Sequence, residues 1–535
     1  MLNSVNEIPG VAKYLIQDGL ITQESLQPIL STSLQEKCSL VSYLVRNNIL
    51  SSQEILNCCV KYFALPVFDL INFNPNAAHD DLINIELMLR HRVILLYRDK
   101  HALHVGISDP TNHSAISALS FQTGLSIRPM LVCEARLAHL LSSLARSNRI
   151  ESALSKITPI EDKASKYDTT DDDDGPLSEF VNGLIDDAVE QHVSDIHIEP
   201  FTENCRIRFR RDGLLYEVAT IPPHFATRII TRLKIMSHLN IAERRLPQDG
   251  RIQIQQLDIR INSCPTLFGE KIVLRILDAS KIKLNIDDLG LTDLQKKLFL
   301  SKLIQPQGLI LVTGPTGSGK TITLYSALHF LNHIERNISS VEDPVEIELS
   351  GINQININPR IGLDFSTVLR SLLRQDPDII MIGEIRDTQT ATIAMQAAQT
   401  GHLVLSTLHT NSAIETITRL QSMGIAAYHF ISSVSLIVAQ RLVRKICSYC
   451  KQAGCEHCHQ GYQGRIGIFE VIPLTEKIKS LILAGENSQA LLDAVKQEQW
   501  MLLWDAGMEH VKNGITSYAE LLRVAGNGET PCYQN

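Results

Sequence analysis

The fold of this chain is decided by the stretch Leu309-Ile310-Leu311-Val312-Thr313-Gly314-Pro315-Thr316-Gly317-Ser318-Gly319-Lys320-Thr321. An apolar run precedes the pattern G-x-x-x-x-G-K-T, and residues 322–331 then have the composition of a helix. Glycines let the backbone turn so that successive N–H groups face phosphate oxygens, and the helix N-terminus adds partial positive charge there. An accidental match would lack this strand–loop–helix context. The stretch therefore predicts a phosphate-binding P-loop in an α/β domain.

The loop residues have distinct expected roles. Lys320 would reach the β- and γ-phosphates of a nucleoside triphosphate, and the Thr321 hydroxyl would be a ligand of Mg²⁺. The expected nucleotide-binding residues are Gly314, Pro315, Thr316, Gly317, Ser318, Gly319, Lys320 and Thr321.

The chain has 535 residues, 44% of them hydrophobic, and a formal net charge of −8. This length predicts about three or four folded units. The acidic balance argues against nucleic acid as the main partner. No run approaches the roughly 18 consecutive apolar residues of a membrane-spanning helix, and the first residues lack the features of a signal peptide. We therefore expect a cytosolic protein, and any membrane association must come through partners.

The N-terminal region contains a weak internal repeat, in which residues 14–22 align with residues 43–51. Each copy predicts a helix, a short turn and an N-cap, Thr22 or Ser51, that begins a second helix. The segments that follow predict strands at 93–97 and 103–107 and helices at 114–121 and 134–145. We expect residues 1–145 to form one domain, with a helical part followed by an α+β part.

An acidic linker is predicted at residues 146–176, because the run of aspartates ending at Asp174 cannot bury surface and stands next to Gly-Pro. A second unit is predicted at 177–285. Its expected elements are a helix at 177–191 and strands at 195–198 and 206–210. The P-loop domain is expected to cover residues 286–535.

Three segments after the P-loop indicate hydrolysis rather than nucleotide binding alone. The Glu342-Asp343-Pro344-Val345-Glu346 box ends a strand in carboxylates, where an NTPase holds its water-activating base. Residues 378–384 form an apolar strand that ends in Glu384, as a Walker B strand does near the metal. His402 and His409 flank a third strand, and although a lone histidine there would more often be a core residue, two suggest sensors of the γ-phosphate.

A cysteine cluster forms a second motif. Four of the eleven cysteines have the spacing C-x₂-C-x₄-C-x₂-C, namely Cys447, Cys450, Cys455 and Cys458. Pairs of thiolates two residues apart can hold one tetrahedral Zn²⁺, and four protein ligands make the site structural. Disulfides are not expected in the cytosol. His457 and His459 remain possible substitute ligands.

Taken together, these segments resemble the secretion ATPases of the type II secretion and type IV pilus superfamily (GspE/PilB-type), over nearly the whole chain. The P-loop, the Glu342–Glu346 Asp box, the Walker B strand and the His402–His409 box occur in that family's order and spacing. Three earlier segments match the family's second N-terminal domain, at residues 194–200, 210–213 and 245–251.

The resemblance implies a fold and residue roles. The fold would be a RecA-like core, preceded by a PAS-like α+β second N-terminal domain and an MshEN-like first domain, with a small zinc subdomain at 445–470. Glu346 matches the general base, with Glu342 as the alternative, and Glu384 matches the Walker B carboxylate. Four arginines match residues that face the nucleotide or its phosphates: Arg260, Arg275, Arg370 and Arg374.

The implied function is a hexameric, Mg²⁺-dependent ATPase motor that acts on a polytopic inner-membrane platform protein to assemble a type IV pilus. The alternative within the family is a type II secretion ATPase that assembles a pseudopilus. A nucleotide-gated scaffold without turnover and a nucleic-acid translocase are the alternatives from other classes.

The N-terminal repeat resembles domains that bind cyclic di-GMP through an Arg-Leu-Gly opening in each copy. Here residues 10–12 and 39–41 stand at those openings, and neither carries the arginine or keeps the final glycine. We therefore expect cyclic di-GMP binding to be lost.

Overall fold

The chain forms two units that interleave along the sequence. In the computed structural model, unit 1 comprises residues 1–276 with 446–463, and unit 2 comprises residues 277–445 with 464–535. The structure describes residues 10–36, 38–47, 49–70, 73, 83–155, 175–254, 257–277, 284–452, 454–455 and 457–526. Among these residues, no helix is both long and apolar enough to cross a membrane.

Unit 1 begins with the two predicted helical repeats. The helices are α1 (Ala12–Gln17), α2 (Gln23–Gln35), α3 (Leu40–Arg46) and α4 (Ser52–Phe63). Thr22 accepts a hydrogen bond from Ser25 N and begins α2, and Ser51 forms a capping box with Glu54 at α4. The helices pack through a shared core that includes the fully buried Leu15 and Leu44. The repeat prediction is therefore confirmed.

A small three-stranded sheet follows the helices. The elements are α5 (Ile85–His91), β1 (Ile94–Arg98), β2 (Ala102–Ile107), α6 (His113–Thr123), β3 (Ser126–Leu131) and α7 (Glu134–Ser155). The order is β1-β2-β3, with β1 antiparallel and β3 parallel to β2. Helix α7 continues through residues 146–155, so the prediction of a linker there is wrong. This segment is rich in helix-forming residues and contains neither Gly nor Pro. The acidic run ending at Asp174 lies outside the described residues.

The remaining part of unit 1 is an antiparallel sheet with two helices. Its elements are α8 (Gly175–Glu190), β4 (Asp195–Pro200), β5 (Cys205–Arg211), β6 (Leu214–Ile221), α9 (Pro223–Met236), β7 (Gln248–Ile254), β8 (Leu257–Thr266) and β9 (Gly269–Leu277). The strand order is β6-β5-β4-β9-β8-β7. Alternate residues of β4, Ile196 and Ile198, enter a core shared with α8 and α9. Asp195, His197 and Glu199 of β4 carry charged or polar side chains on the opposite face.

Unit 2 is a three-layer α/β structure. Its elements are α10 (Asp293–Leu303), β10 (Gly308–Thr313), α11 (Lys320–Leu331), β11 (Ile338–Glu342), β12 (Asn353–Asn356), α12 (Phe365–Leu372), β13 (Ile379–Ile382), α13 (Thr388–Gln399), β14 (Leu403–Leu408), α14 (Ala413–Ser422), α15 (Ala427–Ser433), β15 (Val434–Ile446), β16 (Tyr462–Pro473), α16 (Glu476–Ala484), α17 (Ser488–Gln497), α18 (Leu503–Lys512) and α19 (Tyr518–Ala525).

The sheet of unit 2 has the order β12-β11-β13-β14-β10-β15-β16. Strands β10 to β15 pair in parallel. Both faces are covered, because Leu309 and Leu311 of β10 enter one core while Ile310 and Val312 enter the other. Strand β10 lies between β14 and β15, so the loop after it is flanked by the carboxyl ends of parallel neighbours.

The cysteine segment is the main departure from the expected domain division. In sequence, residues 446–463 stand between the two parts of unit 2, residues 277–445 and 464–535. Their contacts, however, group them with unit 1. Most of the predicted zinc subdomain at 445–470, namely residues 446–463, therefore groups with the N-terminal unit, whereas residues 464–470 belong to unit 2. Sequence order could not reveal this, because the segment's packing partners are distant in the chain.

Candidate nucleotide-binding and catalytic site

The P-loop joins β10 to α11, as predicted. Gly317 and Gly319 have φ values of 79° and 89°, a conformation that favours glycine. A Cβ atom at Gly314 would lie 2.5 Å from Ser318 Oγ and 2.6 Å from Gln440 O. The loop therefore needs its glycines both for backbone conformation and for close packing against β15.

The P-loop lysine lies within this loop. Lys320 Nζ donates hydrogen bonds to the carbonyl oxygens of Gly314 and Pro315, at 2.7 and 3.2 Å. Burial lowers the pKa of Lys320 to about 8, an effect that Glu384 opposes and Arg441 reinforces. A lysine with this pKa is still mostly protonated at neutral pH. The neighbouring Thr321 side chain is exposed.

Four predicted site elements meet at one edge of the sheet. The carboxyl ends of parallel strands share an edge, and there ligands bind in open α/β sheets. At this edge, Glu342 ends β11, Glu384 follows β13, His409 follows β14 and the P-loop follows β10. The structure thus brings together segments that are up to 95 residues apart in sequence.

Glu384 is the centre of a charged cluster beside the P-loop. It forms an ion pair with Arg386, and its Oε2 lies 3.3 Å from His409 Nε2. Arg386 also pairs with Asp343 at 3.3 Å. Burial acts to raise the pKa of Glu384, but Arg386 and His409 outweigh burial, so the pKa lies below its ordinary value. Glu384 is therefore an ionised carboxylate at neutral pH.

His409 is the histidine that lies at the site. Burial lowers its pKa, and the charge of Lys320 acts in the same direction against the opposing charge of Glu384. His409 is therefore mainly neutral at neutral pH, and one ring nitrogen can donate while the other accepts.

His402 lies at the other end of β14 from His409. His402 precedes β14, where its carbonyl accepts a hydrogen bond from Gly308 N at the start of β10. Its Nδ1 lies 2.9 Å from Ala397 O. A six-residue strand spans roughly 20 Å, so within this chain His402 lies at the opposite end of β14 from the P-loop, which argues against its predicted role as a γ-phosphate sensor. Its ring instead stabilises the end of α13.

The two glutamates of the Asp box occupy different environments. Glu342 is 3% exposed, and its carboxylate accepts hydrogen bonds from Tyr325, Ser340 and Gln354. Glu346 lies four residues further on, in the loop beyond β11, and is half-buried. A general base must exchange protons with an attacking water. Glu346 is therefore the better placed of the two, and this favours it over Glu342 as the base.

The arginines expected near phosphate lie in two places. Arg370 is an exposed residue of α12, whereas Arg374 lies two residues after that helix ends. Arg260 on β8 and Arg275 on β9 belong to unit 1. Arg275 is 58% exposed and its Nε donates to Asp195 at 3.0 Å.

The sequence interpretation missed a polar group on β15. Gln440 is buried, and its Oε1 accepts a hydrogen bond from Thr323 Oγ1 at 2.8 Å. Arg441 Nη2 donates to Asn411 O and Oδ1, at 3.1 and 2.9 Å. Both residues adjoin the P-loop only because β15 pairs with β10. The sequence signal was a Gln-Arg pair that directly follows the apolar run of residues 436–439.

The cysteine cluster in unit 1 fits a tetrahedral metal. The four sulfur atoms of Cys447, Cys450, Cys455 and Cys458 lie within 4.8 Å of one another. The Sγ atoms of Cys447 and Cys455 are 3.7 Å apart, and those of Cys450 and Cys458 are 3.6 Å apart. A Zn–S bond of about 2.3 Å in tetrahedral geometry requires about 3.8 Å between sulfurs. The residues present therefore fit zinc.

The two nearby histidines are engaged elsewhere. The His459 ring stacks on Tyr216 with centroids 4.5 Å apart, and the His457 ring lies 4.5 Å from Tyr449. Four thiols already complete a tetrahedral set. Neither histidine is needed as a substitute ligand.

Comparisons with known proteins agree with this geometry. The family model described as Type II/IV secretion system protein matches residues 170–523, and the MshEN domain model matches residues 63–151. A protein from Pseudomonas aeruginosa named Type IV pilus assembly ATPase PilB is 43% identical, over 98% of this chain and 100% of its own length. Type II secretion system protein E of Dickeya dadantii is 41% identical, over 66% of this chain and 76% of its own length.

A solved structure supports the fold. The ATPase DotB of Yersinia pseudotuberculosis superposes with a TM-score of 0.53 at 21% identity, over 69% of this chain and 97% of that one. The fold and the site define an ATP-hydrolysing P-loop protein. Within that class, the chain belongs to the family of type II/IV secretion system proteins.

Proposed function

We propose that this chain is a cytoplasmic ATPase motor that works as a homohexamer and drives assembly of a type IV pilus. The observation that carries the proposal is the full-length likeness to a pilus assembly ATPase, together with an intact P-loop and acidic edge. A relative from Acinetobacter baylyi with the same name is 41% identical over 96% of this chain. The motor would act on a polytopic inner-membrane platform protein.

The choice of pilus assembly over type II secretion is supported by how far each likeness extends. Relatives named for type II secretion cover 66–68% of this chain, whereas the pilus assembly ATPases cover 96–98%. The longer likeness includes the first 145 residues, with the helical repeat and the small sheet. A type II secretion ATPase remains the second candidate, because the relatives named for type II secretion have a similar sequence identity to this chain over the part that they cover.

The proposed chemistry assigns roles within unit 2, here taken as a RecA-like core. Lys320 and the P-loop amides would hold the phosphates, and Thr321 and Glu384 would hold Mg²⁺. Bound Mg²⁺ neutralises developing charge on the phosphates. Glu346 accepts the proton of the attacking water. His409, which lies against Glu384, is placed to respond to the γ-phosphate.

The proposed role of unit 1 is to supply arginines and a metal-stabilised segment. The sheet of β4–β9 is taken as the PAS-like second N-terminal domain, and Arg260 and Arg275 would reach phosphate when the two units close on the nucleotide. Arg370 and Arg374 of unit 2 would contribute further positive charge. Arginine suits this work because its planar fork binds phosphate in a bidentate manner and keeps its charge. Zinc would be held by the four thiolates and would be structural.

Two measurements test the function. Purified full-length protein should release phosphate from Mg-ATP, and Lys320→Ala should abolish release because the phosphates lose a fixed counter-charge. A host lacking its pilus assembly ATPase should regain surface pili with the wild-type gene but not with Lys320→Ala. Restored secretion by a host lacking its type II secretion ATPase, without pili in the first host, would support the second candidate.

Two other functions are tested in the same assay. A nucleotide-gated scaffold would bind ATP without releasing phosphate. A nucleic-acid translocase would be stimulated by DNA, which we do not expect for a chain with a net charge of −8.

A further inference from the structure

A buried tyrosine connects the P-loop helix to the Asp box. Tyr325 lies on α11, five residues after the P-loop lysine, and is 0% exposed. Its hydroxyl donates to Glu342 Oε2 at 2.5 Å and accepts a hydrogen bond from the backbone N–H of Glu346 at 3.2 Å. One phenol oxygen therefore links α11, the end of β11 and the loop that carries the proposed base.

Glu342 orients the phenol. Its Oε1 accepts hydrogen bonds from Ser340 Oγ at 2.6 Å and Gln354 Nε2 at 3.2 Å, while Oε2 accepts from Tyr325. Burial raises the pKa of Tyr325, and the hydrogen bond to Glu342 raises it further. Tyr325 therefore remains protonated, and its proton points at Glu342. The remaining lone pairs of its oxygen can then accept the Glu346 N–H.

Side chains from β12 hold the same loop on either side of Glu346. Asn356 Oδ1 accepts from Val345 N at 2.7 Å. Gln354 donates to Ile347 O at 3.0 Å and accepts from Leu349 N at 2.7 Å. Side-chain hydrogen bonds thus hold the backbone of the loop, and the Tyr325 hydroxyl supplies one of them from the helix that begins at the P-loop lysine.

We propose that Tyr325 is a positioning residue for ATP hydrolysis. Through Glu342 and the Glu346 amide, it sets the position of the base relative to the phosphates that the start of α11 binds. The helix between Lys320 and Tyr325 is rigid and spans about 8 Å. Tyr325 and the loop that carries Glu346 therefore stay at a fixed distance from the phosphate-binding Lys320. Glu342 acts as the acceptor that aligns Tyr325, not as the base. The inference rests on the proposed role of Glu346.

The test is Tyr325→Phe, which removes the hydroxyl and keeps the ring. We expect kcat to fall by about 10- to 100-fold, the scale that small misplacements of a catalytic group produce. The KM for ATP and the affinity for a fluorescent ATP analogue should stay within about twofold of wild type, because the P-loop is untouched. Tyr428→Phe is the matched control, since Tyr428 is 67% exposed and lies on α15. It should behave as wild type.

A double-mutant cycle separates positioning from general stability. If Tyr325 acts through Glu346, Tyr325→Phe should cause little further loss when Glu346 is already Gln, because the base it positions is gone. A multiplicative loss in the double variant, wild-type kcat in Tyr325→Phe, or parallel loss of nucleotide affinity would each overturn the proposal. Near-normal turnover by Glu346→Gln alone would instead reject the assignment of the base, so the two failures are distinguishable.

Discussion

At the scale of single residues, the structure gives different environments to two glutamates, Glu342 and Glu346, that the sequence alone does not distinguish. Both belong to the Glu342–Glu346 box, with Glu342 at the end of β11 and Glu346 four residues beyond it. Glu342 is buried with its carboxylate saturated by hydrogen bonds, whereas Glu346 is half-buried in a loop. Burial and hydrogen bonding, not residue type, therefore assign their roles.

The first prediction concerns this pair. Glu346→Gln should bind ATP normally but lose at least about 10²-fold in turnover, because an amide cannot accept a proton from water at neutral pH. Phosphate release and nucleotide affinity should be measured together. Normal turnover in Glu346→Gln with loss in Glu342→Gln would show that Glu342 is the base.

The second prediction compares the two histidines of the His box. His409→Asn should lower kcat, because the ring against Glu384 is lost. His402→Asn should leave kcat within about twofold and mainly lower the melting temperature, since loss of one partly buried hydrogen bond costs about 1 kcal/mol. Equal losses of turnover in the two variants would contradict the placement of His402 outside the site.

At the scale of structural elements, the cysteine segment packs within unit 1. Cys447, Cys455 and Cys458 share a core with Ala135 at the start of α7. Arg211 on β5 donates to His457 O at 2.7 Å. The segment therefore contacts both the first domain and the antiparallel sheet of unit 1, and metal binding should stabilise those contacts.

The third prediction follows from this packing. Zinc analysis should find one ion per chain, and Cys450→Ser should increase hydrogen exchange in α3 and at the start of α7 while leaving ATP affinity unchanged. Cys264→Ser is the matched control, because Cys264 is exposed and lies outside the cluster. Absence of zinc, or unchanged exchange in Cys450→Ser, would refute this reading.

The helical repeat is the second element with a testable property. Ala12 and Val41 occupy the positions where relatives that bind cyclic di-GMP have glycine, and both are fully buried. Ser39 occupies one of the arginine positions and caps α3. These residues at the start of each repeat therefore contribute to helix packing and helix capping.

The fourth prediction is that this chain has lost cyclic di-GMP binding. Two charge-assisted contacts at about 1.5–3 kcal/mol each are missing, which weakens binding by about two to four orders of magnitude. Calorimetric titration of the full chain should show no sub-micromolar binding. A sub-micromolar dissociation constant would overturn the prediction.

At the scale of the whole molecule, hydrolysis is proposed to depend on both units. Arg260 and Arg275 lie in unit 1, and the P-loop lies in unit 2. The Arg275 side chain is held at Nε by Asp195, a carboxylate that is 8% exposed, while the arginine itself is 58% exposed. The Nε atom of Arg275 is therefore held in place, while much of its side chain faces solvent.

The fifth prediction tests that dependence. Arg275→Ala and Arg260→Ala should each lower kcat more than they weaken ATP affinity, because the arginines would engage phosphate only when the units close. Arg206→Ala on β5 is a suitable control, since Arg206 pairs with Glu199 of the neighbouring strand β4. Turnover equal to wild type in both variants would show that these arginines are surface charges.

The sequence by itself determined the elements whose signals are local. The P-loop, the helix caps at Thr22 and Ser51 and the cysteine spacing depend on neighbouring residues, so their backbone conformations and chemistry can be inferred from short segments. The parallel sheet also followed, because apolar strands alternating with helices have few other ways to bury both faces. The placement of Glu384 and His409 beside the P-loop was implied by that topology.

Only the tertiary structure decided features that depend on contacts between distant segments. His402 and His409 look alike in sequence, but one strand length separates them, so only one reaches the site. Gln440 approaches the P-loop because β15 pairs with β10, and the cysteine segment joins unit 1 through partners more than 200 residues away. Local patterns specify which element a residue occupies, whereas long-range packing specifies what that residue meets.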